Sequence, residues 1–248
     1  MIGSISSDVP SEIEAKVRAV LRSEPRLGPS FHLRDLRLES DGVILLAGEA
    51  PSVAAKKIAL EKVAAIQGVT GIADHLHVVP ATTMGDKEIL DHVRNGMIGE
   101  PNFKDFEVSE SKGGRLRLVR GAPQGVRGRI DIEVGDGVVI LNGSFPDLTS
   151  KRLAGVIAWW VPGVRDVVNG IAVEPEEEDS PDLIAEAVRV VLEKDPLVNA
   201  SQIRQGVRHR VVRLTGLVPA DSEREAAERD VWMIFGVDTV INEIEVRP

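Results

Sequence analysis

The sequence predicts an α+β protein of three tandem αββαβ modules, each a three-stranded mixed sheet packed on two helices. Three observations carry this expectation. Residues 41–80, 136–175 and 209–248 align without a gap and share their glycines and prolines. Upstream of each block, apolar residues recur at helical spacing and stop at an acidic residue followed by proline. Composition agrees: 43% hydrophobic and 28% charged residues suit a globular chain and exclude general disorder.

The elements follow in chain order. The first helix of a module carries Ile13/Val17/Leu21, Ile89/Val93/Met97 or Ile184/Val188/Leu192, one apolar stripe at i, i+4, i+8. It stops at Glu24-Pro25, Glu100-Pro101 or Asp195-Pro196, because proline lacks the N–H that would continue a helix and restricts the residue before it. A short alternating strand comes next, clearest in Ile130-Asp131-Ile132-Glu133-Val134. Asp41-Gly42 and Asp136-Gly137 are hairpin-turn dipeptides, since glycine accepts the positive φ such turns require. The third copy has Arg210 in place of that glycine, so its hairpin is expected to use another turn.

The second strand (residues 43–47, 138–142 and 211–215) ends at an anchor glycine, Gly48, Gly143 or Gly216. The second helix turns Ala59/Ala154/Ala227, Val63/Ala158/Val231 and Ile66/Val161/Ile234 to the core. It breaks at Gly68-Val69, Gly163-Val164 or Gly236-Val237, and a last strand runs to Pro80, Pro175 or Pro248.

The acid-Pro helix stop, the D-G-V-V-x-L-x-G strand of residues 136–143, the helical alanine and the G-V-x-x-V-x-N-x-I-x-V ending of residues 163–173 resemble the BON domain. That bacterial module is named for osmotically induced periplasmic proteins and nodulation-related proteins. Asn169 of the ending recurs as Asn242, while the first copy has Asp74. The resemblance covers nearly the whole chain, as BON-like modules at residues 8–80, 86–175 and 181–248. It implies a non-catalytic binding or scaffold protein of the envelope or osmotic-stress type, associated with phospholipid.

The middle copy carries an insertion at about residues 103–127. The stretch that contains it holds Lys112, Arg115, Arg117, Arg120, Arg127 and Arg129, with no acidic residue from Lys112 to Ile130. Alternation at Arg115–Leu118 and the turn signal at Gly121–Gly125 predict a protruding hairpin with one basic face. That face reads either as solvated decoration or as a docking surface for an anionic phospholipid, an acidic partner or the chain's own acidic linker at residues 174–179. The linker itself reads as solvated carboxylates or as a cation site.

No residue is assigned a catalytic role. The chain has no cysteine, which excludes disulfides, thiolate chemistry and Cys-based zinc sites. No Ser/His/Asp spacing and no glycine-rich phosphate loop occurs, so no cofactor is expected. His75 and His77 share one face of a strand, but the repeat aligns them with outward positions and supplies no third ligand, so no metal site is assigned. The αββαβ order is shared with RNA-binding KH modules, yet their G-x-x-G loop is missing. A net charge of −9 also excludes generic nucleic-acid binding.

In a chain poor in aromatics, Trp159, Trp160 and Trp232 need a reason. They complete a core or a contact between copies, or their end of the helix meets a membrane interface or a partner. No stretch approaches spanning length and the start has no signal-peptide pattern, so a cytoplasmic protein with peripheral membrane association is expected. The alternatives are a protein-interaction module, self-assembling into a homo-oligomer through its sheet edges, and a small-ion-binding stress protein.

Overall fold

The computed structural model describes residues 8–122 and 125–247. Pro123 and Gln124 of the expected turn at Gly121–Gly125, and Pro248, lie outside the described residues. The chain divides into two compact units, the first running to Val79 and the second starting at Pro80.

In the first unit the order is α1 (Asp8–Ser23), β1 (His32–Leu38), β2 (Val43–Ala50), α2 (Val53–Ala64) and β3 (Gly71–Val78). Strand β2 is central, antiparallel to β1 and parallel to β3. Val17 and Leu21 of α1 and Ile58, Ala59 and Val63 of α2 are buried with Leu36, Ile44, Leu46 and Leu76 of the sheet. The αββαβ module is therefore as the periodicity predicts.

The second unit holds the other two copies. The middle one comprises α3 (Asp86–Gly99), β4 (Phe106–Lys112), β5 (Arg115–Arg120), β6 (Gly128–Gly135), β7 (Val138–Phe145), α4 (Leu148–Trp159), β8 (Asp166–Asn169) and β9 (Ala172–Val173). The third comprises α5 (Pro181–Lys194), β10 (Ile203–Arg208), β11 (Val211–Val218), α6 (Asp221–Met233) and β12 (Thr239–Val246). Strands β6, β7 and β8 form the module's own sheet, and β10, β11 and β12 form that of the third copy.

The insertion departs from expectation. It is a hairpin, but it does not stand free: β4 lies parallel beside β6 and β5 closes the edge, giving the order β5-β4-β6-β7-β8. Phe106 and Val108 of β4 join the core, where the rings of Phe103, Phe106 and Phe145 meet with centroids 4.7–5.4 Å apart. This buried apolar face is what ties the hairpin to the sheet.

Close contacts explain the conserved spacing of the repeat. A Cβ at Gly48, Gly143 or Gly216 would overlap the carbonyl oxygen of His32 or Arg129 on the preceding strand, or of Gln202 just before it. The acid of each acid-Pro pair has its own task beyond the helix stop. Glu24 accepts from the Arg26 N–H at 3.2 Å, Glu100 from Asn102 at 2.9 Å and Asp195 from Leu197 at 2.8 Å. The proline ends the helix and the carboxylate caps the turn that follows it.

The third-copy turn also corrects the sequence reading. His209 and Arg210 adopt φ of 48° and 65°, the same left-handed pair as Asp136 and Gly137 at 53° and 76°. The turn type is retained without its glycine. Arg210 is held there by its Nε, which donates to the Gly236 carbonyl at 2.9 Å, and by an ion pair with Asp238 at 3.3 Å.

Candidate functional site

The inserted hairpin turns at Gly113-Gly114, both in the left-handed region, and brings the expected cations to three different fates. Arg120 is half-buried at the base, where its guanidinium donates to the carbonyls of Ile98, Phe103 and Phe106. It fastens β5 to the rest of the copy and is not available to a ligand. Arg117 pairs with Glu110, which also accepts from Arg94 of α3 at 2.6 Å. Burial pushes the Glu110 carboxyl upward, but hydrogen bonds from Arg94 and Arg117 outweigh it and leave it below the usual carboxylate range. Arg129 pairs with Glu107 on the neighbouring strand at 3.0 Å.

Lys112, Arg115 and Arg127 remain exposed, with no carboxylate partner among the described residues. Lys112 and Arg115 face each other across the hairpin beside its turn. Arg127 lies apart, in a shallow groove of about 330 Å³ with Arg129, Ser144 and Glu174. The six basic residues are thus not one surface.

Leu116 and Leu118 alternate with the arginines of β5. They lie opposite Ser111 and Ser109 of β4, on the sheet face away from α3, and are 61% and 59% exposed. The edge strand is thus basic on one face and apolar on the other, with no strand beyond it among the described residues.

The tryptophans have a different role. Trp232 is only 4% exposed, and Trp159 and Trp160 pack half-buried against one core shared by the second and third copies. Helix α4 packs on α5 and α6. Across that seam the Trp160 indole N–H donates to Asp230 Oδ1 at 2.9 Å. Trp160 therefore takes part in a contact between copies, and Trp232 is buried within α6's packing.

Two charged residues at the seam escaped the sequence reading. Arg152 of α4 is completely buried, its Nε donating to the Phe235 carbonyl at 2.8 Å and its Nη2 to Asp179 at 2.7 Å. Asp230 of α6 is equally buried. Burial first, and the neighbouring carboxylate of Asp195 second, push its pKa up to about 7. The acidic linker gains a structural use as well: Asp179 neutralises Arg152, and Glu177 accepts from the Leu148 N–H that opens α4, at 2.7 Å.

His75 is exposed and His77 half-buried, and no group of three metal-ligating side chains occurs among the described residues. Nor is any helix among them long and apolar enough to cross a membrane.

Comparison with known proteins follows the same lines. No curated protein matches the chain. Among solved structures, the C-terminal domain of CdsD, a structural protein of the type III secretion system of Chlamydia trachomatis, is similar at 13% identity. The match covers 98% of this chain and 100% of that one, with a TM-score of 0.25. A second CdsD structure from the same organism is 13% identical over 96% of this chain and 93% of its own, with a TM-score of 0.24. The BON domain pattern matches residues 10–80, 121–175 and 180–248, the middle match beginning where β5 ends. BON domains are generally non-catalytic binding modules, and no enzyme family is indicated. The chain belongs to the BON domain family, with three tandem copies.

Proposed function

We propose that the chain is a non-catalytic binding and scaffold protein of the bacterial envelope or osmotic-stress type. In this reading it is cytoplasmic and associates peripherally with anionic phospholipid through the β4–β5 hairpin. The observation behind the proposal is the juxtaposition of unpaired Lys112 and Arg115 with exposed Leu116 and Leu118 around one turn. A hairpin tip lying in the headgroup layer puts its leucines toward the acyl boundary and its cations at the phosphates.

Each leucine contributes at most ~2 kcal/mol on burial. A cation near an anionic surface adds about 1 kcal/mol. Binding of this kind is weak, reversible and screened by salt. Flotation with phosphatidylglycerol vesicles at low and high salt tests it. The wild type should float at low salt only, and Lys112→Gln/Arg115→Gln should weaken binding roughly thirtyfold. Leu116→Ser/Leu118→Ser should weaken flotation at low salt as well. Wild type that stays at the bottom of a low-salt gradient removes the proposal.

A second reading, protein interaction or self-assembly, is favoured by one observation: β5 is a sheet edge whose outward backbone groups meet no further strand among the described residues. Light scattering separates the two readings. A mass that rises with concentration and falls back in Leu116→Ser/Leu118→Ser supports association through β5. A constant monomer rejects it.

A further inference from the structure

The third copy carries a basic surface that neither its fold nor the phospholipid reading requires. Between Asp195 and Asp221 the chain has no acidic residue, while Arg204, Arg208, His209, Arg210 and Arg213 all fall within that interval. Strand alternation sends Arg204, Gly206 and Arg208 of β10 to the sheet face away from the helices. Gly206 stands opposite Arg213, Arg208 stands opposite Val211, and Ile241 adjoins Arg213 from β12.

Because Gly206 has no side chain, a gap opens in that face. It is a groove of about 540 Å³ lined by Gly206, Val207, Arg208, His209, Val211, Arg213 and Ile241. Its floor is apolar and its rim is cationic. Arg213 pairs with Glu243 and Arg210 with Asp238, both pairs exposed, whereas Arg204 and Arg208 meet no carboxylate among the described residues.

The middle copy shows that the fold does not demand this chemistry. Counting from the anchor glycines, Arg204, Gly206, Arg208, His209 and Arg213 occupy the places of Asp131, Glu133, Gly135, Asp136 and Ile140. The two hairpins have the same two-residue turn and matching antiparallel ladders. On one backbone, then, an acidic face has become a basic one. The turn glycine has been given up as well, which leaves two non-glycine residues in the left-handed region at roughly 1 kcal/mol each. Bonds from Arg210 to Gly236 and Asp238 hold that turn, and His209 beside it lines the groove.

We propose that this groove is a binding site for a phosphate ester, with Arg208 and Arg213 as anion contacts. Gly206, Val211 and Ile241 form its floor. Two guanidinium groups beside one gap suit a tetrahedral group with three or four oxygens better than a carboxylate, which a single arginine satisfies. The ligand is either a soluble phosphate ester or a phospholipid headgroup. The site is independent of the β4–β5 hairpin.

The test is an amide NMR titration of the full chain with glycerol 3-phosphate, using sodium acetate at equal ionic strength as the control. Saturable shifts at Gly206, Val207 and Val211 that acetate does not reproduce are the expected result. Arg208→Gln/Arg213→Gln should weaken binding at least tenfold. So should Gly206→Leu, whose side chain enters open space, since nothing lies within 4 Å of its Cβ. Lys112→Gln/Arg115→Gln should bind as wild type does, which keeps failure of the hairpin reading separate from failure of this one. If phosphatidylglycerol vesicles compete for the same amides, the site takes a headgroup; if they do not, it takes a soluble ester. Absence of saturable shifts, equal shifts with acetate, or unchanged binding in both groove variants would overturn the proposal.

Discussion

At the residue scale, the anchor glycine and the first residue of a hairpin turn show how differently two glycine-rich motifs are enforced. Any Cβ at Gly143 would collide with the backbone of Arg129 on β6, which cannot rotate away as a side chain can. Gly135, at the end of β6, has open space around its Cβ and no positive φ. Gly143→Ala should therefore cost about 3 kcal/mol or more, because the strands must separate. Gly135→Ala should stay within about 0.5 kcal/mol of wild type. Urea denaturation followed by circular dichroism compares them directly, and equal losses would show that the close approach is not what holds this position. The turn glycine is less strict: Arg210 replaces it because bonds to Gly236 and Asp238 stabilise a conformation that glycine would adopt unaided.

At the element scale, the helices and strands of all three copies were legible because their spacing repeats, and repetition averages out the ambiguity of any single short strand. The third-copy turn was misread because a dipeptide rule records what is easy locally, and Arg210 is held by residues on another loop. The insertion was legible as a basic hairpin, but not its pairing with β6, which depends on Phe103 and Phe106 burying themselves against Phe145. Treating its six cations as equivalent followed from that gap. Arg120 and Arg115 look alike in sequence, yet one fastens the hairpin and the other is free. Arg120→Ala leaves the carbonyls of Ile98, Phe103 and Phe106 without their charged donor and should cost about 2 kcal/mol. Arg115→Ala should cost about 0.5 kcal/mol or less. Thermal or urea unfolding decides between them, and a hairpin indifferent to Arg120 would show that the aromatic cluster alone holds it.

At the scale of the whole molecule, the repeat count hides an inequality. The second and third copies form one compact unit, in which α4, α5 and α6 bury a common core and enclose charges that neither copy could bury alone. Sequence periodicity cannot reveal this, because Arg152 and Asp230 occupy helix positions that would be ordinary solvated charges in an isolated module. Asp230 gives the seam a measurable pH dependence. It faces Asp195 at the end of α5, the Trp160 indole at the end of α4 and Arg229 on its own helix. With a folded-state pKa near 7 against an ordinary value of 3.8, Asp230 is protonated when folded and ionised when unfolded between those limits. The folded state then binds more protons, so this residue's contribution to stability falls as pH rises from about 4 to 7 and stays low above that. In Asp230→Asn, the amide oxygen can still accept from Trp160 while its N–H faces Asp195, which reproduces the protonated acid without the cost of ionisation. The variant should be more stable than wild type at pH 8, on the order of 2 kcal/mol, and close to it at pH 4. Urea unfolding of the full chain at both pH values, read by tryptophan fluorescence, measures the difference. A variant less stable at pH 8, or a gap independent of pH, would mean that Asp230 is held ionised in the folded seam.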